Sequence, residues 1–329
     1  MTIYDPTALR RELHEMPELA LHEKRTSAYV AEKLKALGIE THENVGGSTG
    51  VVGIIRGTEP GPVFMLRADM DALPFVIDGK PCCIHACGHD GHTAMLLAAA
   101  SRLKDKIKRG TLKLLFQPAE ETLQGAPVII KAGVIDDVDY ALGAHIRPIQ
   151  DVPAGMLCAA VRHTASTTLT IVIKGRGAHA SRPHLGINAI DAACALMNGI
   201  QAIWLDPKMS WSAKATQIHA DSGATNTVPD LARITYDCRA QTNELMDDLL
   251  AQIRRVAAGT AAAYGAEAEV ILRDQSPACL YDDDFVAEVA EAIKETAGPD
   301  KLAPDCGGGG EDFHNYKLCL LYTSPSPRD

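Results

Sequence analysis

Apolar residues recur along the first part of the chain with two different periods. Leu9, Leu13 and Met16 share one face of a helical wheel, and Ala28, Val30, Leu34 and Leu37 line a second before the stop at Gly38. Residues 7–37 are therefore predicted to form two helices. Strand-like runs follow at 50–56 and 62–67, and again at 111–116 (TLKLLF), where apolar character is continuous enough for a buried strand. A turn-like segment at 86–90 leads into an Ala/Leu-rich helix from about position 92 to 103. A helix near 126–132 and a strand near 140–144 continue the alternation. Strands alternating with helices predict an α/β fold whose sheet carries helices on both faces.

From about Thr164 the texture changes. The run STTLTIVIKG (166–175) alternates as a strand does, 187–202 and 243–264 read as helices, and TQIHA, ARITYDCRA and AEAEVILR read as strands. Strands with two long helices on one side predict a small α+β domain inserted into the first. Within it TIVIKG is expected to end an edge-like strand. After Pro277 a helix at 283–297 precedes a glycine run, Gly307 to Gly310. The expected layout is a first domain over 1–163, an insertion over 164–274 and a return to the first domain over 275–317.

Composition agrees with that division. At 329 residues the chain exceeds one ordinary core. Its 46% apolar and 22% charged residues are those of a soluble globular protein. A formal net charge of -10 argues against nucleic acid and anionic lipid as partners. The opening MTIYDPTALRREL lacks a basic segment followed by an apolar one, so no signal peptide is expected, and no apolar run is long enough to span a bilayer. Nine cysteines, an odd number without a regular framework, point to a reducing cytoplasm, where most would be buried or inert.

Candidate chemistry is concentrated in four places. HACGHDGHTA (85–94) sets Cys87, His89, Asp90 and His92 within six positions, after an apolar strand and at a helix start. Thiolate, imidazole and carboxylate are the donors a borderline-soft divalent metal selects. A single histidine would more simply be a packed or surface residue, but a cluster of this kind favours a metal. FQPAEE (116–121) ends a buried-looking strand with two adjacent carboxylates, Glu120 and Glu121, which read alone as a solvated acidic turn. Beside a metal cluster they suggest one ligand and one proton shuttle. His145 follows another strand, and Asp69 and Asp71 in RADMDALP lie just past a fourth. Metal-type side chains at four strand ends point to one shared site where open α/β sheets bind ligands.

On these motifs, HACGHDGHTA with FQPAEE above all, the chain resembles the aminoacylase and carboxypeptidase-G type metallopeptidases. Within that group it is similar to the amidohydrolase branch of hippurate hydrolases and auxin-conjugate hydrolases, and GAHIRPIQ and DCRAQTNE look most like the bacterial AmhX-type amidohydrolases. The similarity runs from RRELHEMPEL to GGEDFHNY. The resemblance implies an α/β metallo-exopeptidase-type catalytic domain with an inserted α+β lid and dimerisation domain. It implies hydrolysis of N-acyl amino acids or related conjugates by metal-activated water, in a homodimer or higher oligomer. It also implies two divalent metal ions, usually zinc and sometimes manganese or cobalt. Residue by residue, Cys87, His89, Glu121 and His145 match metal ligands, and Glu120 matches the general base. His179 matches a lid histidine that helps hold the substrate oxyanion, and Asn226 and Arg239 match positions that bind the substrate carboxylate. Gly310, Glu311 and Asp312 match a loop lining the site.

Two departures modify the expectation. TLQGA follows the glutamate pair where the family has a Gly-rich stretch. Past Tyr316, KLCLLYTSPSPRD no longer follows the family, which supplies one further histidine ligand there, so residues 318–329 are expected to be foreign. His314 is not at that ligand position, though it would stand in if its loop bent inward. The alternative reading is thus a non-catalytic metal- or conjugate-binding relative with an incomplete two-metal site. A nucleotide-binding reading of the glycine run is weak, because no Lys-Ser or Lys-Thr follows it.

Overall fold

A computed structural model describes residues 3–323. The described residues divide into two compact units, the first built from residues 3–161, 280–306 and 311–323, the second from Arg162–Cys279 and Gly307–Gly310.

The first unit opens with α1 (Pro6–His14) and α2 (Lys24–Ala36), followed by β1 (Glu40–Val45), β2 (Gly50–Arg56) and β3 (Glu59–Asp69). Asp5 caps α1 by accepting from Thr7 N, and Pro6 pre-sets its first turn. A two-stranded hairpin, β4 (Leu73–Ile77) with β5 (Lys80–Ile84), precedes α3 (His89–Leu103), β6 (Arg109–Gln117), α4 (Gly125–Lys131) and β7 (Tyr140–Gly143). The main sheet has the order β1-β2-β6-β3-β7. β1, β2 and β6 pair antiparallel, whereas β6, β3 and β7 are mutually parallel. Along β6 the side chains alternate between two cores. Leu112, Leu114 and Phe116 meet Leu9, Leu13, Val30, Leu34 and Leu97 from α1, α2 and α3, while Leu115 meets Ile129 of α4 and Tyr316. Burial on both sides explains why this strand reads as a largely apolar run, interrupted at Lys113.

Short strands β8 (Leu157–Cys158) and β9 (Val161–His163) lead to the second unit. It contains β10 (Ala165–Lys174), β11 (Ala178–His179), α5 (Ala189–Gln201), β12 (Trp211–His219), β13 (Thr227–Val228), β14 (Leu231–Ala240), α6 (Asn243–Tyr264) and β15 (Glu267–Ser276). Its antiparallel sheet has the order β12-β14-β10-β15. β10 is therefore interior, not an edge, because it pairs with β14 on one side and β15 on the other. The edge strands are β12 and β15, and the residues of β12 are half-buried or exposed along its length. α5 and α6 cover one face through Leu196, Ile200, Leu249 and Ile253, packed on Leu169, Ile171 and Ile234.

The chain returns to the first unit with α7 (Asp283–Ala297), capped by Asp282 at Phe285 N, and β16 (Leu302–Ala303), which pairs parallel with β8. α8 (His314–Thr323) runs through position 318, where the segment expected to be foreign begins. Residues 324–329 of the segment expected to be foreign lie outside the described residues.

Candidate metal centre and active site

Because β3, β6 and β7 are parallel, their carboxyl ends lie on one side, and the register aligns Asp69 with Gln117 and Arg67 with Gly143. Asp71, Glu120, Glu121 and His145 follow those ends within a few residues. Cys87 and His89 arrive differently, since β5 belongs to the separate hairpin and not to the main sheet. Gly88 sits at φ 84°, a left-handed conformation that lets the chain turn directly into α3. The helix consequently starts at His89, three residues earlier than its apolar pattern predicts, and His89 and Asp90 occupy its first turn.

The glutamate pair is held in a tight loop. Ala119 and Leu123 flank it at φ 55° and 56°, values uncommon outside glycine. Glu121 N donates to Asp71 Oδ2 at 2.9 Å, and Leu123 N closes on Glu120 O at 2.7 Å.

Three groups of donor atoms, each within 4.8 Å, assemble here: Cys87, His89 and Glu121; His89, His92 and His145; and Glu120, Glu311 and Asp312. The hydrogen bonds sort the histidines. His92 is fully used, with Nδ1 on Asp69 Oδ1 at 2.6 Å and Nε2 accepting from Ile146 N at 2.9 Å. His89 Nδ1 lies 3.1 Å from Asp71 Oδ1, and His145 Nδ1 lies 2.6 Å from Ile146 O. In each case an Nδ1–H bonded to oxygen leaves Nε2 as the free donor, the arrangement that orients metal-binding imidazoles. His89 Nε2 and Glu121 Oε1, 3.7 Å apart, are buried without a hydrogen-bond partner among the described residues. Buried polar atoms are rarely left so, and the two orphans together with the Cys87 thiol form a set that a cation would satisfy.

The electrostatics have the same sense. Burial alone would lower His89, but Asp69 and Asp71 overcome it and raise the imidazole to about 9. Burial pushes the Cys87 thiol up to about 12, aided by its hydrogen bond to Glu121. Burial lowers His145, helped by the neighbouring His92, and so keeps it neutral as a ligand should be. Glu120 rises to about 11, first through burial and then through Glu311, with Arg67 opposing. The centre thus carries excess negative charge, and a bound dication reverses that logic by favouring thiolate, neutral imidazole and carboxylate.

Beneath the donors lies a buried network that motif reading missed. The Arg67 side chain is 3% exposed. Its guanidinium donates to Asp69 at 2.6 Å, Asp312 at 2.8 Å, Glu311 at 3.1 Å and Gln117 at 2.8 Å. Asp312 also accepts from Gln117 Nε2 and Ala126 N, and Tyr316 OH donates to Gln117. Burial pulls Asp312 up, to about 7, against Arg67. Every neighbour within hydrogen-bond range is a donor, so the geometry holds the carboxylate form. The signal for Arg67 was present in RADMDALP, as a charge inside a buried strand. The signal for Gln117 was its place at the end of β6 in FQPAEE. His314 accepts from Leu280 N at 3.1 Å and belongs to none of the three donor groups, so it does not stand in as a ligand.

Residues 65–326 match the sequence pattern of peptidase family M20/M25/M40. This chain is a member of that family. Among M20 relatives it is 36% identical over 327 residues to thermostable carboxypeptidase 1 of Saccharolobus solfataricus, covering 94% of this chain and 81% of the relative. It is 35% identical over 302 residues to hippurate hydrolase of Campylobacter jejuni, covering 88% and 78%. A crystal structure of a dinuclear metal-binding M20 peptidase from Bacillus subtilis superposes with a TM-score of 0.78 at 31% identity, covering 95% of this chain and 85% of that one. The M20 fold has the mixed α/β, two-domain character predicted here.

The remaining predicted residues of this M20 chain lie in the second unit. His179 and Asn226 meet through the paired strands β11 and β13, with Asn226 Nδ2 at 3.4 Å from His179 Nε2. Arg239 on β14 is held in bidentate fashion by Asp237, at 2.8 Å from both Nε and Nη2. Gly310 also belongs to this unit, whereas Glu311 and Asp312 belong to the first.

Proposed function

We propose that the chain is a dinuclear metal-dependent amidohydrolase that cleaves the amide bond of N-acyl amino acids and related conjugates. The observation that carries this reading is the Cys87–His89–Glu121 donor set, with its two buried, orphaned atoms, beside the adjacent carboxylate of Glu120. Membership in M20, and relatives named as a hippurate hydrolase and a carboxypeptidase, support amide hydrolysis that frees an amino acid.

Cys87, His89, Glu121 and His145 would hold the metals, and the mixture of thiolate, imidazole and carboxylate favours zinc over manganese or cobalt. When bound, the cations supply Lewis acidity and acidify water. Glu120, unused as a ligand, accepts the proton of the attacking water and returns it to the leaving nitrogen. Asp71 and the Ile146 carbonyl hold the two imidazoles in the Nδ1–H tautomer. The roles proposed for His179 at the oxyanion and for Asn226 and Arg239 at a substrate carboxylate rest on family resemblance, as does a homodimer. No helix among the described residues is long and apolar enough to cross a membrane, and the odd count of nine cysteines without a regular spacing supports a cytoplasmic setting.

The test uses N-acetyl and N-benzoyl amino acids with metal content measured in parallel. Glu120→Gln is expected to retain metal and lose about 10²- to 10⁴-fold in kcat, whereas Glu121→Gln loses metal. Near-parental kcat in Glu120→Gln overturns the base assignment. A metal-loaded parent that hydrolyses no N-acyl amino acid overturns the function.

A further inference from the structure

Glu23 stands at the start of α2 yet does not cap it; Glu18 does, accepting from Arg25 N at 2.9 Å and Thr26 N at 3.0 Å. The Glu23 carboxylate, fully buried, turns instead toward the glutamate loop. Its Oε1 accepts from Ala119 N at 2.8 Å and from Leu21 N at 3.0 Å, and Oε2 accepts from the Thr49 hydroxyl. Leu21 and Ala119 are two of the few non-glycine residues with positive φ, at 63° and 55°. One oxygen therefore ties together two backbone positions that an L-residue adopts only at a cost of about 1–3 kcal/mol each. Ala119 immediately precedes Glu120.

We propose that Glu23 is a positioning residue: it locks Ala119 in the left-handed conformation that aims Glu120 and Glu121, so that both carboxylates reach their places without searching. A buried carboxylate is a costly way to satisfy three donors, and its return is the geometry of the adjacent pair. Neither oxygen touches the reacting atoms. The inference rests on the amidohydrolase reading for the role of Glu120, but the lock itself is a property of this loop.

The consequence is separable by side-chain chemistry. Glu23→Gln retains an oxygen that accepts from both amides and an NH₂ that donates to Thr49 Oγ1, so it should stay within about 3-fold of the parent. Glu23→Ala removes the acceptor, and a displacement near 1 Å costs up to about 10²-fold in rate. We expect kcat to fall by about 10- to 100-fold with KM changed by less than about 3-fold. Glycine adopts positive φ freely, so in an Ala119→Gly background the Glu23→Ala loss should shrink to less than about 3-fold, while a Leu21→Gly background should leave it intact.

The cobalt(II)-substituted protein gives a readout independent of turnover. Its visible absorption reports the ligand set that includes Glu121, and Glu23→Ala should shift it, with Ala119→Gly restoring it. Unchanged parental inactivity on amides with this spectroscopic pattern intact would count against the amidohydrolase reading and not against the lock. If Glu23→Ala does not fold, Glu23→Met, of similar length without an acceptor, takes its place in the cycle. Equal losses in kcat with and without Ala119→Gly, a Gln variant as impaired as Ala, or unfolding of both Ala and Met variants even with Ala119→Gly would each overturn the proposal.

Discussion

Replacing Arg67 by methionine tests the buried network most directly. The side chain keeps most of its volume, so the change is chiefly loss of charge and of four hydrogen bonds. It leaves Asp69 and Asp312, both fully buried, without their shared cation. Removing one partner of a buried ion pair costs about 3–5 kcal/mol. Asp69 retains His92, while Asp312 retains only Gln117 Nε2 and Ala126 N, so the cost falls mainly on Asp312. With an m-value of about 2 kcal/mol/M in urea, the first unit should lose about 1.5–2.5 M in midpoint at pH 7. The pH dependence has a definite sign. In the parent, burial would raise Asp69, but His89, His92 and Arg67 prevail and hold it well below its ordinary value. That contribution is present above the unfolded pKa and is lost only as pH falls through the lower folded value. In the variant Asp312, already raised to about 7 by burial in the parent, loses the opposing Arg67 and is raised further, so its folded form binds more tightly a proton that the unfolded chain has released. That stability is present below the unfolded pKa and is lost as pH rises through the folded one, each tenfold difference in proton affinity between the two states being worth about 1.4 kcal/mol. Arg67→Met should therefore be more stable at pH 5 than at pH 8, in chelator so that metal does not contribute. Both tryptophans, Trp204 and Trp211, lie in the second unit, so their fluorescence follows that unit while circular dichroism follows both. A first-unit midpoint equal to the parent's at pH 7, or a variant less stable at pH 5 than at pH 8, would refute the reasoning.

Asp71 bonds both His89 Nδ1 and Glu121 N. Asp71→Asn should weaken metal binding by about 10- to 100-fold, measured by competition with a chromophoric chelator, and an unchanged affinity would mean the tautomer of His89 is set elsewhere. Metal binding near pH 7 should release at least two protons, because the Cys87 thiol, at about 12, and His89, at about 9, are both protonated without metal. Affinity should accordingly rise with pH, less steeply above about 9; calorimetry in buffers of different ionisation heat reads the count, and release of fewer than one proton contradicts the assignment. Leu114, fully buried in β6, should lose about 2–5 kcal/mol on change to alanine, read as a lower thermal midpoint of the first unit.

Much of this architecture is written locally. Helical and strand periods mark the elements at 50–56, 111–116 and 243–264 because each buries a face whose spacing follows from backbone geometry alone. The motifs at 85–94 and 116–121 display their chemistry because donor side chains crowd into a few positions. Only the folded chain decided how those donors are used. Which imidazole nitrogen stays free depends on Asp71 and the Ile146 carbonyl, and His92 is spent on Asp69 and Ile146 N. The interior place of β10 depends on two partners distant in sequence, β14 and β15, and no single strand's alternation reveals how many neighbours it has. Arg67 finds Glu311 and Asp312 more than two hundred positions away, and Glu23 finds Ala119. Periodicity records burial, which is a local average. Hydrogen bonds and ion pairs require particular atoms within about 3 Å, and chain topology alone brings those atoms together.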